Sequence, residues 1–324
     1  MMMTTSSKEK KIVVIGGGTG TYTVLKALRE HPVYLSAIIS MADDGGSTGV
    51  LREEFGILPT GDVRRALVAL SRHPDDRLAK LFTYRFKEGG VSGHSVGNLI
   101  ITALERIYGS FEKALNEASQ ILAVERGEVI PVTLSNVRLF AQLEDGSIIK
   151  GETNIDVPKH DGEMRVEKVW LEPKAKINPR AIKAIREAHL IVMGPGDIYT
   201  SVIPNLLVRG IPEAIRQTRA KKIYVCNLMT KYGETHGFVA QDFVTILEEY
   251  LGEEVLDMIL LNTGRPSIPL LRKYRNEKAF FVDPFFPKAP GSKKPKIIQT
   301  SLIRTGDLIR HDPKKLAELI LKRI

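Results

Sequence analysis

The apolar positions of this chain fall into short runs set apart by glycine and polar loops. Lys11-Ile-Val-Val-Ile15 is a β-branched run ending in glycines, which predicts a buried strand. Val24, Leu25 and Leu28 follow at helical spacing, and residues 33–40 read as a second strand. A strand, a glycine loop, a helix and a strand in that order predict a parallel pair with a right-handed crossover. A helical stretch comes next. Asp62 is read as the cap of a helix carrying Val63, Ala66, Leu67 and Leu70, and further helices are predicted over 78–86, 95–107 and from Ser110 to Leu122. Residues 129–172 change character. Strand-like runs at 129–133, 138–143, 147–152 and 166–171, parted by turns such as Glu144-Asp145-Gly146, predict an antiparallel insertion on the main sheet, with Trp170 as a packing residue. The strand–helix rhythm then returns. Asn178-Pro179 caps a helix, strands are predicted at 189–193, 222–226 and 257–261, and helices lie near 211–218 and 239–250. The chain closes on a helix after Asp312-Pro313 whose Leu316, Leu319 and Ile320 share one face. The pattern predicts one α/β domain over 11–324, a doubly wound, mostly parallel sheet. It carries a β-rich insertion at about 129–172 and follows a disordered tail at 1–10.

Composition adds limits. At 324 residues, with 43% hydrophobic and 26% charged, the chain has room for a large core and an ordinary globular balance. No apolar run reaches membrane-spanning length, and the polar start meets glycines too soon for a signal peptide. Cys226 is the single cysteine, which rules out an internal disulfide and sets a cytoplasmic location as the expectation. The net charge of +9 is uneven, since residues 265–324 hold fifteen Lys/Arg against five Asp/Glu. That basic C-terminal part either attracts an anionic ligand or is solvated surface, as Lys293-Lys294-Pro295-Lys296 reads. No nucleic-acid recognition motif accompanies it, so no nucleic-acid partner is expected. A homodimer is the expectation by frequency alone.

Candidate chemistry collects in four loops: Gly16-Gly17-Gly18-Thr19-Gly20-Thr21, Asp43-Asp44-Gly45-Gly46-Ser47-Thr48-Gly49, Ser92-Gly93-His94-Ser95-Val96-Gly97-Asn98 and Gly194-Pro195-Gly196-Asp197. Glycine lets a backbone approach an anion closely, and a helix starting just after it adds free N–H groups and a positive dipole end. Ligands of doubly wound sheets bind beyond the carboxyl ends of the strands. Those ends carry the first, second and fourth loops, Asn227 and Asn262-Thr263. The expected ligand is a phosphorylated nucleotide.

The first loop departs from an NAD fingerprint. The third glycine position falls on Thr21, and the second strand ends at Ser40 without a ribose-binding acid. NAD stays a candidate of lower standing, and a Walker-type NTPase lacks its lysine. Two roles are open to Asp43 and Asp44: holding a Mg²⁺ that bridges ligand phosphates, or shaping a turn. His94 either donates to a phosphate or is structural, and Asn98, one turn into its helix, can face the same pocket. The other six histidines lack metal-ligand spacing, and Ser47 and Ser95 show no base partner in the sequence. Asp197 ends a strand where a ligand should lie, and Thr200 and Ser201 either cap the next helix or donate to phosphate. Tyr274 can stack on a base and Arg310 can hold a diphosphate, or both can serve packing and surface.

Taken in order, these segments resemble the YvcK/CofD-like family over nearly the whole chain. The motifs are Ile15-Gly-Gly-Gly-Thr-Gly, Met41-Ala-Asp-Asp-Gly-Gly-Ser-Thr-Gly, Pro59-Thr-Gly-Asp, Gly93-His-Ser-Val-Gly-Asn-Leu, Met193-Gly-Pro-Gly-Asp-Ile-Tyr-Thr-Ser and Asn227-Leu-Met-Thr. The length and Leu308-Ile-Arg-His-Asp look most like the YvcK branch. The resemblance implies a Rossmann-like fold and a cytoplasmic bacterial protein needed for cell shape and wall synthesis on gluconeogenic carbon sources. It implies binding of UDP-sugars such as UDP-GlcNAc or UDP-glucose, with Tyr274 and Arg310 at the matching positions and no established catalysis. The other branch implies transfer of 2-phospho-L-lactate from a GDP-type donor to a deazaflavin. Mg²⁺ would then sit at the Asp43-Asp44 loop.

Overall fold

The computed structural model describes residues 9–72, 77–287, 295–304 and 306–324. Of the predicted tail, residues 1–8 lie outside these, while Lys10 already belongs to the first strand. Lys293 and Lys294 of the predicted lysine-rich surface also lie outside. In chain order the strands are β1 (Lys10–Gly16), β2 (Val33–Ile39), β3 (Gly127–Pro131), β4 (Arg138–Leu143), β5 (Ile148–Lys150), β6 (Val166–Glu172), β7 (Leu190–Met193), β8 (Lys221–Val225), β9 (Met258–Asn262), β10 (Lys296–Thr300), β11 (Ile303–Arg304) and β12 (Arg310–His311).

Seven of these form the main sheet in the order β10-β9-β8-β7-β1-β2-β3. Every neighbouring pair is parallel. The chain builds outward from β1 through β2 and β3, then returns to lay β7 on the free side of β1 and builds the other way. That reversal is the topological switch point of a doubly wound sheet, and it opens a crevice beyond β1 and β7. Ile12, Val13, Val14 and Ile15 are each at most 1% exposed, because a parallel strand covered on both faces is an unbroken apolar run. The helix Gly18–Leu28 buries Val24, Leu25, Ala27 and Leu28, and the C-terminal helix Pro313–Leu321 packs against it. Among the described residues, no helix is long and apolar enough to cross a membrane.

The insertion differs from its prediction in three respects. The run at 129–133 is not part of it. As β3 it pairs in parallel with β2, Val129 opposite Ala37, and ends one edge of the main sheet. The antiparallel unit has the order β5-β4-β6 and stands apart as its own sheet. Within it, Trp170 stacks on Phe140 at a ring separation of 5.5 Å. The predicted strand over 147–152 stops at Lys150, and Glu152–Asp156 is a short helix instead. Its backbone is captured from outside, by Asp44 accepting from the Thr153 N–H at 2.9 Å.

Candidate functional site

The crevice holds a cavity of about 520 Å³. The first loop supplies Gly17, Thr19 and Gly20 to its wall, the second Asp43, Ser47 and Thr48, and the third Asn98. The fourth supplies Gly196 and Asp197, with Ser201 just beyond. Close approach of two strand ends needs glycine here: a Cβ on Gly20 would lie 2.0 Å from the Pro195 carbonyl oxygen. Gly18 opens the first helix at φ +64°, and Gly194 turns the chain at φ +70°.

Other predicted residues are placed differently. Thr21 is buried beneath the first loop and its hydroxyl lacks a partner. Asp44 turns toward the insertion, bonded to Thr153 and 3.9 Å from Arg138. Asp43 shapes its own loop, accepting from the Gly45 N–H at 3.0 Å, while its carboxyl remains on the cavity wall. Thr200 donates to Glu234 at 3.2 Å, and Asp197, not Ser201 or Thr200, stands at the N-terminus of the π-type turn Ile198–Val202.

Two readings are corrected by the fold. Asp62 does not cap its helix. That helix is Gly61–Leu70 with Thr60 at its cap position, so Asp62 lies inside the first turn and faces the cavity. There its carboxyl bonds the Gly18 N–H. Ser47 does have a histidine partner, 3.0 Å from its Oγ at His94 Nδ1. Arg64 Nε donates to Asn98 Oδ1 at 2.9 Å, which turns the Asn98 Nδ2 toward Ser47 Oγ at 3.2 Å. Ser47 Oγ thus accepts from Asn98 and shares one further hydrogen with His94 Nδ1, whose direction follows the ring's tautomer. Ser95 is the cap of the helix Val96–Tyr108, accepting from the Asn98 N–H.

Sequence reading missed several wall residues: Arg64, Arg65 and Arg85 from the helical stretch, Glu152 and Asp156 from the short helix, and Lys231 after β8. Lys231 reaches Asp156, Asp197 at 2.9 Å and the fully buried Glu234 at 3.3 Å. These three carboxylates have the mutual spacing of a metal cage, and the lysine ammonium contacts all of them. Burial works against that ammonium, but Glu234, Asp197 and Asp156 outweigh it and raise its pKa. Elsewhere the wall sets Asp43, Asp62 and Glu152 beside Arg64, Arg65 and Arg85, with Arg65 3.5 Å from Asp62. Burial, then Asp62, pushes Asp43 up to about 6. Burial, then Asp43, Asp156 and Asp62, pushes Glu152 up to about 9. Mutually repelling oxygens of this kind attract a hard divalent cation such as Mg²⁺, although among the described residues only Asp156, Asp197 and Glu234 have the spacing of a cage and Lys231 already neutralises them.

A second pocket of about 260 Å³ adjoins the first, sharing Thr19, Gly20, Gly196 and Asp197. Asn227, Tyr274, Arg310 and His311 line it. Tyr274 lies on the helix Ile268–Asn276 and its hydroxyl accepts from the Ile309 N–H at 3.2 Å, which fastens the segment before β12. The fold therefore gathers part of the predicted set into two adjoining chambers, with Tyr274 and Arg310 in one and Asp43, Ser47, Thr48 and Asn98 in the other, while Gly18, Thr21, Asp44, His94 and Gly194 line neither. His94 stands behind Ser47.

The family model described as 2-phospho-L-lactate transferase CofD matches residues 12–302. The gluconeogenesis factor of Halalkalibacterium halodurans is 43% identical, covering 95% of this chain and 94% of that protein. The gluconeogenesis factor of Bacillus subtilis is 41% identical, covering 94% and 95%. A crystal structure of a UPF0052-family protein from Bacillus halodurans superposes with a TM-score of 0.89 at 41% identity, covering 97% of this chain and 99% of that one. Agreement over this length in both sequence and backbone shows descent and not shared architecture alone: the chain belongs to the CofD family, in the branch of the gluconeogenesis factors.

Proposed function

We propose that the protein binds a UDP-sugar across the two chambers and acts as a regulatory protein of cell morphogenesis and wall synthesis during gluconeogenic growth. One observation carries the binding reading. The glycine loops after β1 and β7 form the neck between the larger cavity and the pocket of Tyr274 and Arg310. A diphosphate laid over that neck meets the N-terminus of the helix Gly18–Leu28, where anions are favoured, beside the Gly18 N–H that Asp62 already holds. The base then stacks on Tyr274, Arg310 contributes charge-assisted bonds, and the sugar extends into the larger cavity. Calorimetry with UDP-GlcNAc tests this. Saturable binding that Tyr274→Ala and Arg310→Ala each weaken at least tenfold supports it, and no heat at millimolar ligand removes it. Failure of a binding-deficient variant to restore cell shape in a deletion strain on gluconeogenic carbon tests the cellular role.

A second reading has its own support. Asp43, Asp62 and Glu152 form an acidic wall of the larger cavity, and such a wall can hold the Mg²⁺ of a CofD-type phosphotransferase. When bound, the ion would neutralise phosphate charge. Release of nucleotide from a guanylylated phospholactate donor, dependent on Mg²⁺ and deazaflavin, would establish it. Its absence with all components supplied would leave the binding reading alone.

A further inference from the structure

Two acceptors in the smaller pocket have no donor. Asn227 follows β8 and lines the pocket, and its Oδ1 is shielded from bulk water without a hydrogen-bond partner. His311, on β12 and 7% exposed, lines the same pocket, and its Nε2 is equally unpartnered. The other side of that ring bonds the Cys226 backbone. The Cys226 N–H is already given to Leu260 O at 3.1 Å, so the ring meets the Cys226 carbonyl. Only a ring N–H can do that, so Nδ1 carries the proton and Nε2 is left as an acceptor. Burial pushes the His311 pKa down to about 4, which keeps the ring neutral at physiological pH. Cys226 precedes Asn227 directly, so the two orphaned acceptors belong to one neighbourhood.

Buried polar atoms are almost always satisfied by protein, water or ligand. Phosphate oxygens at neutral pH bring few hydrogens, and an apolar group brings none. A ribose brings two hydroxyl donors on adjacent carbons, and it lies between the base and the diphosphate of any ribonucleotide. In many dinucleotide-binding folds an acid after the second strand takes this hydroxyl. Here β2 leads into Ser40, which donates no carboxylate and instead accepts from the Ala42 N–H.

We propose that Asn227 Oδ1 and His311 Nε2 form a ribose-recognition site that accepts from the two hydroxyls of the bound nucleotide. The proposal rests on the nucleotide reading above and assigns one part of it. The segment Ile309–His311, which carries one of the two acceptors, is tied to its neighbouring helix by the Ile309–Tyr274 bond.

The test compares UDP with 2′-deoxy-UDP and 3′-deoxy-UDP by calorimetry. In the native protein each deoxy analogue should bind at least tenfold more weakly, because it leaves a buried acceptor unpaired. In His311→Phe and Asn227→Leu that ratio should fall toward one for the matching analogue, and His311→Gln, which keeps an acceptor, should restore part of it. A residue with only a packing role would weaken all three ligands alike. UDP binding with no discrimination against either analogue overturns the ribose site and leaves the nucleotide reading standing. No binding of any nucleotide overturns both.

Discussion

Glu152 is the side chain whose position costs the fold most visibly. Its carboxyl is pushed up to about 9 by burial and by Asp43, Asp156 and Asp62, far above an ordinary glutamate. A raised acid binds a proton more tightly in the folded state than in the unfolded one, so stability is highest at low pH and falls as pH rises toward 9. Glu152→Gln removes that loss. Between pH 6 and 8 the variant should gain on the order of 2 kcal/mol over the native protein, since each pKa unit is worth about 1.4 kcal/mol. Denaturant melts at the two pH values check this, and equal native and variant slopes would refute the assignment. Gly20 makes the opposite case, a residue valued for having no side chain. Gly20→Ala places a methyl 2.0 Å from a backbone oxygen that cannot yield as a side-chain tip can. Overpacking of this kind costs roughly 1–3 kcal/mol, and the displaced neck should abolish UDP-sugar binding. A variant that melts and binds like the native protein would show that the two loops are not held together.

Whole segments owe their place to a few such ties, and the ties explain what the sequence could and could not reveal. Arg52, 4% exposed, leaves the helix Gly46–Phe55 and donates to Asp43 O at 2.8 Å and Val137 O at 2.7 Å. It fastens the acidic loop to the entry of the insertion. Arg52→Met leaves those buried carbonyls unpaired and should cost about 2–4 kcal/mol, with faster amide exchange across β4 and the short helix than across β1. Uniform loss across both regions would place the effect elsewhere. β1, β7, β8 and β9 were legible because strands covered on both faces write unbroken apolar runs. β10 was not, since Lys296–Thr300 is an edge strand without a fully buried residue and its alternation is faint. The helix Glu152–Asp156 was not, because five residues cannot form a helix by propensity and its capture by Asp44 is a tertiary event. Glu152 and Asp156 were lost from the predicted site with it. The Ser47–His94 pair was hidden for a related reason: its members are 47 residues apart, and only the packing of two helix starts joins them.

The assembled chamber draws on both halves of the doubly wound sheet. Thr19, Gly20 and Asp43 come from the side of β1 and β2, and Asp197, Asn227 and Arg310 from the side of β7 to β12. A ligand held by both halves must stabilise them as a unit, because any opening that separates them also releases it. At a free concentration one hundred times its Kd, a single-site ligand adds about 2.7 kcal/mol. For a domain of this size that corresponds to a rise in Tm of roughly 5 °C in one cooperative transition. Arg310 is exposed, and no ion-pair partner is found for it among the described residues. Arg310→Ala should therefore melt within about 1 °C of the native protein without ligand, by the small effect typical of surface changes. The same variant should lose most of the ligand-induced rise. Calorimetric scans with and without UDP-GlcNAc distinguish the outcomes. A second, unshifted transition would mean that the ligand is held by one half alone, and a full shift in Arg310→Ala would mean that the diphosphate lies away from the neck.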